Sequence, residues 1–132
     1  MTRPAGRTKS CQARDARARL DDARRFLAAA DREVEPGNGD VVASLAILSA
    51  IAAADVLCCL ALGERSNDGN HAAAIKLLRG VDPKLATSLR RALDRKQQAG
   101  YETGDLSDTD AATCLEQARK LYAAAQEAIL RA

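Results

Sequence analysis

Aromatic residues are nearly absent from this chain: Phe26, Tyr101 and Tyr122 are the whole set, and there is no Trp. Platforms for stacking bases are therefore scarce, and any hold on a nucleic acid would rest on Arg and phosphate. Three Pro and eight Gly among 132 residues leave too few turns for a β-sandwich or barrel. A net charge of +2, from 20 basic and 18 acidic side chains, gives no general drive toward polyanions. The four cysteines (Cys11, Cys58, Cys59 and Cys114) form no C-x-x-C and no Cys/His pair at zinc-ligand spacing. No metal is expected. Cys58 and Cys59 sit in an apolar run and read as small, reduced core residues. The first ten residues, MTRPAGRTKS, are polar and basic with no apolar stretch behind them, so no secretory leader is expected and the chain reads as cytoplasmic.

What the chain does have is 29 Ala and 16 Leu, the strongest helix formers. At this length one all-α domain can bury a core without staples. Residues 1–9 are expected to be a disordered basic tail, with order from Ser10 and a helical domain over 10–132. Leu20, Ala23, Leu27, Ala30 and Val34 recur in steps of three and four, the seam of a first helix that runs to Glu35–Pro36. Pro36-Gly37-Asn38-Gly39 is a turn by composition, after which Asp40 can cap the next helix.

Val41 to Leu62 carries Asp55 as its only charge over 22 residues, enough to span a bilayer. About half the run is Ala or Ser, the preceding flank is acidic, and a carboxylate near the membrane centre costs about 2.5–3.5 kcal/mol. The reading adopted is a central bundle helix with no membrane contact, apolar on all sides and covered by its neighbours or by a second subunit, hence a homodimer. Asp55 then needs a basic or hydrogen-bonding partner. Gly63 closes this helix, and Glu64–Asn70 is a polar loop. A helix starts near His71, with Ile75 and Leu78 on its buried side, and ends at Gly80. Asp82-Pro83 restarts it, and Leu85, Leu89, Ala92 and Lys96 carry it to Gly100. Ser107-Asp108-Thr109-Asp110 is a capping box for a last helix with a seam of Ala111, Leu115, Ala118, Tyr122, Ala125 and Ile129. The pattern predicts a four-helix bundle with its third helix broken near Gly80–Pro83.

The one histidine, His71, stands six residues after Arg65, across a loop rich in hydrogen-bonding groups. Helix-start amides attract phosphate, Arg65 can add a bidentate contact, and Ser66, Asn67 and Asn70 supply supporting polar groups. The imidazole of His71 is a candidate for moving a proton. Arg79, Arg90, Arg91, Arg95 and Lys96 could add charge along an RNA; on an exposed face the same residues would simply be solvated. Tyr101 reads as a packing residue.

Taken in order, a Gly-ended second helix, an Arg-loop-His element, a Leu-rich third element, the K-x-x-A-x-Y stretch Lys96–Tyr101 and a final amphipathic helix resemble the HEPN domain family. The segments ALGERSNDGNHAAAIKLLR (Ala61–Arg79) and LDRKQQAGYE (Leu93–Glu102) are similar to small stand-alone actinobacterial-type HEPN proteins. The resemblance covers about residues 11–131. It implies an all-helical, usually dimeric module; many members are metal-independent ribonucleases of toxin or defence type with an R-x4-6-H motif, without cofactor. Others are non-catalytic and bind nucleotide, RNA or a protein partner. Arg65 and His71 match the motif as catalytic residues, and Ser66 matches the polar residue after the Arg. Toxin members pair with a cognate antitoxin. Two features depart from the pattern: the motif precedes the third helix, whereas active members commonly carry it later, and Ala72-Ala73-Ala74 stands where antitoxin-paired members often have Tyr.

Overall fold

The computed structural model describes residues 7–67, 69–101 and 106–132, the side chains of 96–101 excepted. The chain is mostly helical: β1 (Thr8–Ser10), α1 (Ala13–Arg32), α2 (Gly39–Leu62), β2 (Glu64–Ser66), α3 (His71–Arg79), α4 (Pro83–Tyr101) and α5 (Asp108–Arg131). Among the described residues the helices number five, because α3 and α4 are separate elements across Gly80–Asp82 where the sequence reads one broken helix. The restart follows the expected chemistry. Asp82 Oδ1 accepts the amides of Lys84 at 2.9 Å and Leu85 at 3.2 Å, with Pro83 at the first helical position.

α2 is the hub. It packs against α1 and α5, and also against α4 and α3. By length and composition it could cross a membrane, yet two-thirds of its most apolar window is buried by its neighbours, as in a core helix. The cover is incomplete: Val41 and Leu48 are each 44% exposed, and with the half-buried Leu45 they form an apolar stripe at helical spacing. The interior is built largely of methyl groups. Ala16, Ala23 and Ala30 of α1 meet Ala43, Ala46, Ala50 and Ala53 of α2 in one core, with Ile47, Leu78, Leu89 and Leu121 as its largest fully buried side chains.

Several boundaries shift. α1 ends at Arg32, three residues before Glu35, and leaves Val34 58% exposed beyond the seam. Asp40 does not cap α2; its carboxylate accepts the Leu106 amide instead, tying the start of α2 to the approach of α5. The two glycines of the turn serve different ends. Gly37 has φ +84°, open to glycine at no cost, whereas Gly39 is helical and pressed against the chain before α5. A Cβ there would lie 2.7 Å from the Ser107 carbonyl oxygen and nearer still to that of Leu106. The Ser107 box forms as the sequence predicts: its Oγ accepts the Asp110 amide at 3.0 Å, and Asp110 accepts the Ser107 amide in return.

Order starts earlier than Ser10. β1 pairs antiparallel with β2, Thr8 opposite Ser66, Lys9 opposite Arg65 and Ser10 opposite Glu64. These six polar residues carry no alternation a sequence reading could use; long-range ties bring them together. Chief among these is a disulfide between Cys11 and Cys59, which corrects the expectation of reduced cysteines. On α2, Cys58 and Cys59 point about 100° apart. Cys59 meets Cys11 at the entry to α1, with Cα atoms 5.3 Å apart, a normal span for a bridge. Cys58 and Cys114 stay free and buried. With that bridge present, the cysteines no longer argue for a reducing compartment. The Cys11 amide also donates to the Gly63 carbonyl at 2.9 Å, just where the left-handed Gly63 (φ +68°) turns the chain out of α2. The packing expected of Tyr101 and the charge expected of Lys96 lie outside the described side chains.

Candidate functional site

A pocket of about 220 Å³ opens where the C-terminal half of α2 faces β2 and the start of α3. Its polar wall brings together Arg65, Ser66, Asn67, Asn70 and His71, all five residues expected from the sequence. Two further residues complete it, Arg19 from α1 and Asp55 from α2, over an apolar floor that includes Ile51, Ala54, Leu77 and Leu89.

Asp55 is the electrostatic centre. It is only 6% exposed, and its Oδ2 accepts from Arg19 Nε at 3.0 Å and Nη2 at 2.8 Å. Arg65 lies on its other side, Nη1 to Oδ2 at 3.6 Å, held by charge rather than by a hydrogen bond. Burial pushes the Asp55 carboxyl above its ordinary range, and the charge and hydrogen bonds of Arg19, then the charge of Arg65, pull it back down. Arg19 also contacts Asp22 at 3.1 Å. The chain Asp22, Arg19, Asp55, Arg65 thus alternates in sign, and the lining charges of the pocket itself, two Arg against one Asp, leave it cationic.

Asn70 holds the entry to α3. Its side-chain oxygen accepts the Ala73 amide at 3.0 Å and so caps the helix at the pocket wall. His71 is the first residue of α3 and exposed, with the positive end of the helix beside it. The Asn67 amide donates to the Arg7 carbonyl at 2.9 Å, extending the β-ribbon to the pocket's edge. Cys58 contributes a thiol wall. Burial, and next the nearby Asp55 charge, push that thiol up to about 12, so it stays protonated and inert as a nucleophile.

The arrangement is suited to an oxyanion: two guanidinium groups oriented by one buried carboxylate, an imidazole at the rim, and polar loop atoms between. Arg79, Arg90, Arg91 and Arg95 take no part in the lining, and Arg95 pairs with Asp110 at 3.6 Å. Arg19 is the residue the sequence reading missed. It sits on the seam spacing Ala16, Arg19, Ala23, and an arginine on the buried edge of one helix with a lone carboxylate in another apolar helix was the available signal. Comparison with family models, curated proteins and solved structures gives no match.

Proposed function

We propose that this chain is a HEPN-like ribonuclease that works as a homodimer, cleaving RNA without a metal ion by attack of the RNA's own 2′-OH on the adjacent phosphorus. In this reading α3 and α4 together stand for the third member of a four-helix bundle. The observation that carries it is that Arg65 and His71, the two motif residues, line one cationic pocket with Arg19 behind them. The reaction needs a base for the 2′-OH proton, an acid for the leaving 5′-oxygen, and positive charge on the pentavalent phosphorus. Arg65 and Arg19 supply the charge. His71 moves protons, and since each chain has one His, the second imidazole comes from the partner.

The apolar stripe Val41, Leu45, Leu48 supports a dimer that joins the two sites, because its next helical step, Ile51, is already part of the pocket floor. A cytoplasmic toxin or defence effector with a cognate antitoxin fits this chemistry. The contrary observation favours a non-catalytic module that binds RNA, nucleotide or a protein: among the described lining residues of one protomer the Cys58 thiol is buried and pushed toward its protonated form and Asp55 is engaged by Arg19, which leaves His71 for proton transfer. Purified protein incubated with total RNA and EDTA separates the two. Cleavage that survives chelation and is lost in His71→Ala supports the nuclease; intact RNA, or equal cleavage by His71→Ala, removes it.

A further inference from the structure

The β-ribbon places a further cation, besides Arg19, beside Arg65. In the β1–β2 register Lys9 is directly opposite Arg65. Opposed residues of an antiparallel pair project from the same face, with Cβ atoms about 4.5–5.5 Å apart. Two contacts fix which face this is. Arg65 reaches Asp55 of α2, and Cys11, two residues after Lys9 and so of the same parity, is bonded to Cys59 of α2. The other parity agrees, since Thr8 donates across the ribbon's opposite face to Glu64. Lys9 therefore leaves the ribbon on the Arg65 side. It is exposed, has no ion-pair partner among the described residues, and lies outside the pocket lining itself.

The ribbon is also well anchored. The Cys11–Cys59 bridge, the Cys11 amide on Gly63 and the Asn67 amide on Arg7 fix β1 to the loop that carries Arg65, so the backbone positions from which the two cations extend are fixed relative to each other. We infer that Lys9 forms a second phosphate subsite, which holds the RNA phosphate next to the one bound by Arg65 and Arg19 and draws the strand across the β1–β2 ribbon. The inference rests on the RNA reading and adds to it a subsite and a path.

A short, fully 2′-O-methylated oligoribonucleotide cannot be cleaved and reports binding alone. Followed by fluorescence anisotropy from about 50 to 200 mM KCl, Lys9→Gln should bind about fivefold more weakly at the low-salt end, the effect of one exposed charge contact. Its slope of log K against log salt should be shallower by about 0.7, the loss of one phosphate contact on a single strand. Lys9→Arg should restore both. A dinucleoside monophosphate, which has one phosphodiester, should bind Lys9→Gln and the wild type alike in an NMR titration while losing affinity for Arg65→Gln. An unchanged slope, or an equal loss on the dinucleoside, overturns the Lys9 subsite and leaves the RNA reading standing. No binding of either probe by the wild type overturns both, and persistent cleavage by His71→Ala with the Lys9 results as expected overturns the nuclease alone.

Discussion

Replacing Arg19 with Gln removes two charged hydrogen bonds from a carboxylate whose side chain is 8% exposed. Breaking a buried ion pair from one side costs about 3–5 kcal/mol, because the remaining charge stays desolvated. Two features of this pair place the loss at the lower end. Arg19 is itself 25% exposed, and Arg65 remains 3.6 Å from the same oxygen as a second countercharge. We expect Arg19→Gln to lower stability by about 3 kcal/mol near neutral pH, roughly a 10 °C fall in Tm for a chain of this size. The pH dependence identifies the cause. Burial holds the Asp55 carboxyl above its ordinary 3.8, and the charge and hydrogen bonds of Arg19 oppose that rise, so losing Arg19 lifts it further. A carboxyl raised on folding binds protons preferentially in the native state; its contribution is fully present below the unfolded value and is lost as pH climbs through the folded one. The deficit of Arg19→Gln against wild type should therefore be small near about pH 4 and grow toward about pH 7 in urea unfolding. Adding Asp55→Asn to the variant should recover most of the neutral-pH loss. A deficit equal at both pH values, or no recovery in the double variant, would refute a buried Arg19–Asp55 charge pair as the organiser of the pocket.

Other measurements probe the frame around the site. Gly39→Ala forces a Cβ onto two carbonyl oxygens of the chain before α5, so it should destabilise by about 2–3 kcal/mol and weaken hydrogen-exchange protection at Leu106; an unchanged urea midpoint would deny that close approach. The Cys11–Cys59 bridge spans 48 residues, for which chain entropy predicts about 4 kcal/mol, so the oxidised protein should lose up to that amount on reduction or in Cys11→Ser/Cys59→Ser. Equal unfolding curves with and without reductant would count against the bridge.

Much of this architecture was legible. The α5 seam, the Ser107 box, the Asp82-Pro83 restart and the Gly63 stop all rest on interactions within a few residues in sequence, and local chemistry fixes such features. Arg65 and His71 were legible as neighbours because a short loop joins them to a helix start. What escaped is long-range. The three-residue strands exist only because residues 8–10 meet residues 64–66, and no periodicity marks such a pairing. Cys59 could not be told from Cys58 without knowing which side of α2 faces the entry to α1. Arg19 and Asp55 each stood out against an apolar background, but their partnership depends on how α1 lies along α2, which neither helix encodes alone.

An interior assembled from alanines inverts the ordinary mutational hazard. Trimming Ala46, Ala50 or Ala53 has little left to remove, and beyond glycine's backbone freedom it opens no void larger than a methyl group. Enlarging them is different: each added branch on the hub helix must wedge neighbouring helix axes apart, and overpacking of this kind costs about 1–3 kcal/mol. Sequence drift in this protein should therefore be permissive toward shrinkage and intolerant of growth along α2, with the arginine-lined recess among the first regions to lose its shape when the helices separate.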